Sequence, residues 1–442
     1  MKYIGILLLI LMCMFAFSSC QNETDKDASN TEKVKESMLE TNLETISENE
    51  ITESLPSEDE TDETQVPETE SQPTESDGIL AINPDDYYKC VVFELPEGNF
   101  RDVAVDYMRE QASVEWVCEN GFSVVDKFEY WSIGLEYKKG VTYHGITYTN
   151  VKSSMDEFMM FYSDGKVNME SGGSNDVVGN GCFSSTQNAT QQFDPTVAGT
   201  TDVIMPGLKT FEAKIVGSYK VPENIRRTEQ IISANGNDAM YAAYAELKKG
   251  DLIIQKDIDK GMSHVRMLVE DANIYTNASG KVIPSRSFVK TIEQTNAFDK
   301  TRTDGVNTTW YVDHIYTFST LVSTNYVPVT LESYSKDRSE MEKPYLYLDS
   351  EIKPEILAKK TFSSTVKSNF PIRFVKIDIL DKSGNVVASK MKNNMDDSRS
   401  VTLRNSFTSL FNGVPAGDYT LVLNAGISRG SAEFARVDFS LN

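Results

Sequence analysis

The sequence predicts an α+β fold in which a helix bearing a cysteine packs on an antiparallel sheet bearing a histidine, followed by a small all-β sandwich. Three observations carry this expectation. A glycine-flanked turn, Gly179-Asn180-Gly181, delivers Cys182 to a run without Gly or Pro that reaches Phe193, the pattern of a tight turn entering a helix. Downstream, Leu252 to Gln255, His264 to Val269 and Ser287 to Gln294 read as strands divided by polar turns. From about Met341 to Asn442, short alternating strands recur at regular intervals, which argues a sandwich.

The chain has 442 residues, enough for about two or three domains. Met1-Lys2 and the apolar run from Ile4 to Phe17 read as a signal sequence, too short to span a bilayer comfortably. Its end, Phe17-Ser18-Ser19-Cys20, resembles the lipobox of bacterial lipoproteins. That resemblance implies a signal peptide over residues 1–19, a lipidated Cys20, and a chain anchored outside the cytoplasm on the cell membrane. Residues 21–77 hold 19 Asp and Glu against 3 Lys, with few apolar positions. Such a segment cannot bury enough surface to offset its ordering entropy, so residues 20–77 are expected to be a disordered acidic tether. The net charge of −23 is concentrated there. The remainder is mildly acidic and carries no basic stripe, which argues against a nucleic-acid partner.

Five cysteines occur. Cys13 leaves with the signal and Cys20 takes the lipid, so Cys90, Cys118 and Cys182 remain. An odd count leaves at least one free thiol: at most Cys90 pairs with Cys118, and Cys182 stays free.

Folded sequence is expected from Gly78, with one domain over residues 78–338 and the sandwich over 339–442. Asn99 caps a helix from about Arg101 to Cys118, with Val103, Tyr107, Val114 and Cys118 near its buried face. Tyr143 to Asn150 reads as a loop or strand edge with exposed rings, and His144 as a loop histidine. A helical run covers Ser153 to Tyr162, and another Asn237 to Lys248. In the strand that follows, Val265, Met267 and Val269 share one face and His264, Arg266 and Leu268 the other. On the next strand Phe288 and Ile292 share a side with Gln294, and antiparallel pairing brings Gln294 or Glu293 beside His264. Trp310 to Thr317 is a further strand, and Tyr326 to Leu331 an edge strand. Asp381 to Asn385 is a hairpin turn in the sandwich.

A thiol at a helix start has a lowered pKa, because the helix N-terminus offers partial positive charge and free N–H groups. An imidazole and a polar residue that orients it complete the parts for nucleophilic attack on a carbonyl. The order of these parts, and the motifs around them, resemble the NlpC-type cell-wall peptidases, which are papain-like. Gly145-Ile146-Thr147-Tyr148 stands where that family has Gly-x-Pro-Tyr. Gly179-Asn180-Gly181-Cys182-Phe183-Ser184-Ser185 stands at its Gly-x-Asp-Cys-Ser-Gly-Phe nucleophile. Gly250-Asp251-Leu252 precedes His264-Val265 as its Gly-Asp-Leu strand precedes a His-Val strand. The likeness covers roughly residues 140 to 295, with Thr147 in place of Pro and Gly181 in place of Asp. It implies Cys182 as nucleophile, His264 as base, Gln294 (with Glu293 as the alternative) as the third catalytic residue, and Tyr148 with Tyr143 on the substrate or oxyanion side. It further implies hydrolysis of amide bonds in peptidoglycan stem peptides. The other reading left open by the sequence is a non-enzymatic surface lipoprotein that binds wall or host polymer through the sandwich. A monomer without cofactor is expected. His144, His264 and His314 have no clustered spacing, and no His-Glu-x-x-His or paired-Cys motif suggests a metal.

Overall fold

The computed structural model describes residues 78–442. The signal run, Cys20 and the acidic tether lie outside the described residues. Helices and strands form a mixed α+β arrangement with several sheets.

The first long helix, Phe100–Ser113, starts at Asn99, whose side chain accepts from the Arg101 N–H at 2.8 Å. It buries Ala104, Val105, Met108 and Ala112. It stops five residues before the expected end, because Glu115–Cys118 is a strand paired with Thr142–His144. The segment Glu115-Trp116-Val117-Cys118 alternates exposed and buried positions, and its aromatic and β-branched residues suit a pleated surface better than a helix face.

A six-stranded antiparallel sheet forms the centre. Its order is Trp310–Thr317, Phe288–Gln294, Met262–Leu268, Leu252–Asp257, Val327–Thr330 and the short Lys214–Ile215. Val327–Thr330 is therefore not an edge strand as expected: it has a partner on each side, the outer one too short to read from sequence. The helix Cys182–Thr190 packs against Met262–Leu268, with Phe100–Ser113 beside it. A second sheet and the hairpin Phe122–Lys127/Ser132–Tyr137 flank this core. One apolar cluster, with Trp116, Trp310, Phe158 and Phe193 deeply buried, unites these parts.

The C-terminal part has two four-stranded antiparallel sheets. One contains Lys89–Val92, Tyr345–Leu348, Thr365–Ser368 and Ser400–Thr402; the other contains Val386–Lys392, Ile372–Leu380, Gly417–Ile427 and Gly430–Leu441. They share a separate apolar cluster that includes Phe370, Phe407, Phe411 and Phe434. The turn Asp381 to Asn385 closes as expected, with Asp381 N–H donating to Asn385 O at 2.9 Å. Lys89–Val92 precedes the Asn99 cap in sequence, yet its ladder partner is Tyr345–Leu348.

Candidate functional site

The turn before Cys182 is built by close backbone approach. Gly179 has φ +156°, and a Cβ there would lie 2.3 Å from Thr147 O, so no side chain fits. Asn180 N–H donates to Thr147 O at 2.9 Å, and Thr149 N–H donates to Asn180 O at 2.9 Å. The Asn180 amide donates to Gln111 Oε1 (3.0 Å) and Ser153 O (2.8 Å). Gly181 is extended, and its N–H is accepted by Ser184 Oγ at 2.7 Å. Cys182 is then the first residue of the helix, which is buried along its whole length despite its polar sequence. Side-chain amide donors find buried acceptors there: Asn188 donates to Ser153 O at 2.9 Å and Gln187 to Val197 O at 3.1 Å.

His264 comes from the strand Met262–Leu268, one residue after Ser263, whose carbonyl lies 4.0 Å from Cys182 Sγ. Its Nε2 is bonded to Glu293 Oε2, which leaves Nδ1 for the cysteine side. Glu293 also accepts from Arg266 Nε at 2.8 Å and from the Tyr316 hydroxyl at 2.6 Å. Arg266 is clamped between two rings, 3.7 Å from the Tyr316 centroid and 4.1 Å from that of Tyr326.

These contacts set the charges. Burial pushes Glu293 up, but the charges of Arg266 and His264 and the bonds from His264 and Tyr316 hold its carboxyl down to about 2. Burial pulls His264 down, but the Glu293 charge and hydrogen bonding with Cys182 and Glu293 raise it to about 9. Burial pushes the Cys182 thiol up; the bond and charge of His264, with the Val265 and Phe183 N–H groups, bring it below its usual value. Phe183 N–H is one of the free donors of the helix start. A lowered thiol, a raised imidazole and a buried carboxylate together have the parts for acyl transfer.

Gln294 does not belong to this set, contrary to expectation. The register sets Met267 opposite Ile292 and Leu268 opposite Thr291. Glu293 therefore falls on the face of Arg266 and His264, and Gln294 on the opposite face. There its amide donates to Ile146 O at 2.8 Å and to Thr309 Oγ1 at 3.3 Å. Tyr143 is also placed elsewhere: it stacks on Trp116 at 5.1 Å, and its hydroxyl accepts from Lys138 N–H at 2.7 Å, within the core. Tyr148 does line the cleft beside Cys182. Cys90, Cys118 and Cys182 are all free thiols, and Cys20 lies outside the described residues. His144 ends the strand Thr142–His144, 3.7 Å from Glu115. The Gly250-Asp251 pair is structural: Asp251 accepts from Arg101 Nη1 at 2.6 Å and Lys248 N–H at 2.8 Å.

The cleft over Cys182 and His264 has a volume of about 480 Å³, with Trp131, Gln255, Thr200 and Asn296 among its walls. Another wall residue, Lys152, donates to Gly199 O and Asp397 Oδ2, each at 2.6 Å. Asp397 lies in the C-terminal part and also accepts from Gly199 N–H (2.6 Å) and Arg373 Nη1 (2.8 Å). Arg373 in turn bonds Gln191, just past the Cys182 helix. Arg266, Tyr316, Lys152, Arg373 and Asp397 were not singled out by sequence reading. Only Arg266 had a usable signal there, its parity with His264.

No family model matches the chain, and no curated protein matches it. Among solved structures, it is similar to CopC from Methylosinus trichosporium OB3b, at 21% identity over 18% of this chain and 74% of that chain, with a TM-score of 0.14. At that score the likeness carries no argument.

Proposed function

We propose that this protein is a cysteine hydrolase of the cell surface, an NlpC-type enzyme with a papain-like catalytic domain and a C-terminal β-sandwich, that cleaves amide bonds of peptidoglycan stem peptides. The observation that supports it best is the placement of Cys182 and His264 on one cleft, with Glu293 buried behind the imidazole, the thiol lowered and the imidazole raised. The amide substrate and the lipid anchor at Cys20 have a separate support. Both rest on the sequence motifs.

In this reading the resting pair is thiolate and imidazolium. The Cys182 sulfur attacks the amide carbonyl carbon, and the oxygen takes the negative charge. Free N–H groups at the helix start, with the Tyr148 hydroxyl alongside, are suited to hold that oxyanion. The C–N bond then breaks as His264 Nδ1 gives its proton to the departing amine. Water attacks the thioester, His264 takes its proton, and the thiolate leaves. Glu293 stays ionised throughout, orienting the ring through Nε2 and stabilising its positive charge. The acidic tether would let a lipid-anchored, monomeric enzyme reach into the wall.

The test is release of new amino groups from purified peptidoglycan by the full chain and by Cys182→Ala. Release by the first alone is expected. Equal release by both removes the enzyme reading and leaves a surface protein that binds wall polymer.

A further inference from the structure

Beside the cleft stands the hairpin Phe122–Lys127/Ser132–Tyr137. Its inward residues Phe122, Val124, Ile133 and Leu135 are buried. Its tip is not: Phe128 is 37% exposed and Tyr130 51%. Phe128 N–H donates to Trp131 O at 2.9 Å, which closes the tip. The Phe128 and Trp131 rings lie stacked, 4.0 Å between centroids and 17° between planes. Trp131 is at once part of this stack and part of the wall of the Cys182 cleft. Asn296, on the same wall, donates to Ser132 O at 2.9 Å and pins the hairpin to the rim. The aromatic ledge is thus continuous with the cleft, and exposed rings grouped in this way mark a contact surface.

The charge of the lining narrows the ligand. The chain carries 66 Asp and Glu against 43 Lys and Arg, yet among the described residues that line the cleft none is a carboxylate. Lys152 is committed to Asp397 and Gly199 O, and His264 to Glu293. Apart from Cys182, the remaining polar lining is neutral hydroxyl and amide groups, among them Asn150, Thr200, Thr201, Gln255 and Asn296. Away from the Cys182–His264 pair, such a wall has no unpaired charge with which to select an ionic ligand. It suits a ligand with many neutral donors and acceptors and a flat C–H face to lie on the negative face of a ring. A pyranose has both.

We infer that the Phe128–Trp131 tip and the adjoining cleft wall form a saccharide subsite that takes a neutral sugar chain. The inference rests on the hydrolase reading, since it places the sugar that carries the peptide beside the cleft while the amide lies over Cys182. The subsite would make the enzyme prefer peptide still joined to glycan over free peptide.

The experiment uses the full chain with Cys182→Ala, which cannot turn over. It is titrated with the β-1,4-linked tetramer of N-acetylglucosamine and, separately, with a sugar-free stem peptide, with Kd measured calorimetrically. Saturable binding of the tetramer is expected, weakened about tenfold or more by Trp131→Ala, a larger loss than the same change causes in peptide affinity. If Trp131→Ala loses its thermal unfolding transition, Trp131→Leu replaces it with the same expectation. No saturable tetramer binding, or equal affinity with and without the indole, overturns the subsite. Because these proteins lack the nucleophile, that failure is separate from a failure of hydrolysis, which the amino-group assay reads on the unmodified chain.

Discussion

Glu293 meets His264 diagonally across two antiparallel strands, while its neighbour Gln294 points through the sheet to Ile146 O. The two side chains differ little in size, but the face of the strand decides which one orients the imidazole.

Substitution separates them. Glu293→Gln removes the charge that raises His264, and kcat on a stem-peptide amide is expected to fall by roughly 10²–10⁴-fold. The alkaline limb of the rate profile should move to lower pH, because the imidazolium loses its counter-charge. Gln294→Ala removes a buried hydrogen bond and is expected to cost about 1–3 kcal/mol in urea unfolding, with the position of that limb unchanged. A kcat loss with Gln294→Ala and none with Glu293→Gln would reverse the assignment.

The chemical half of this site was legible in the sequence, and its supports were not. The Gly179–Gly181 turn and the parity of His264 with Arg266 can be read from local pattern. The pairing register cannot, because it depends on how two strands meet, and so Gln294 and Glu293 stood as alternatives. The same limit hid the true end of the first helix, where pairing with Thr142–His144 outweighs helical spacing. It hid the partner of Lys89–Val92. It also hid Asp397, which meets Lys152 across 245 residues: an isolated acidic residue near the C-terminus carries no local sign of its partner.

Asp397 gives a second prediction. It is 5% exposed in its side chain and faces both Lys152 and Arg373. Asp397→Asn leaves two cations together with their shared carboxylate neutralised, at an expected cost of about 3–5 kcal/mol, read by urea unfolding. Because Lys152 and Gly199 line the cleft, KM should rise as well. Asp397→Glu, which keeps the charge, should recover part of both. An unchanged unfolding midpoint for Asp397→Asn would show that the contact is slack.

The pH dependence of stability has a definite sign. His264 is raised in the folded state from 6.5 to about 9, so its contribution is complete below about pH 6.5 and is lost as pH rises through about 9. Glu293 is lowered from 4.5 to about 2, so its contribution is present above about pH 4.5 and is lost as pH falls toward 2. Unfolding midpoints measured from pH 3 to 10 should decline on both sides of this interval. Glu293→Gln should flatten both declines, since the carboxylate is one cause and the reason for the other. Declines of unaltered slope would place the responsible groups elsewhere.

The central claim is that Cys182 is held as a thiolate by His264, and site-resolved alkylation measures it directly. Iodoacetamide labelling of the full chain, followed across pH by peptide mass spectrometry, compares Cys182 with Cys90 and Cys118, whose thiols burial pushes up. Cys182 should react well below pH 9 while the other two lag, and His264→Ala should return its profile to that of an ordinary thiol. A Cys182 rate that rises only near pH 9 and is indifferent to His264 would contradict the account.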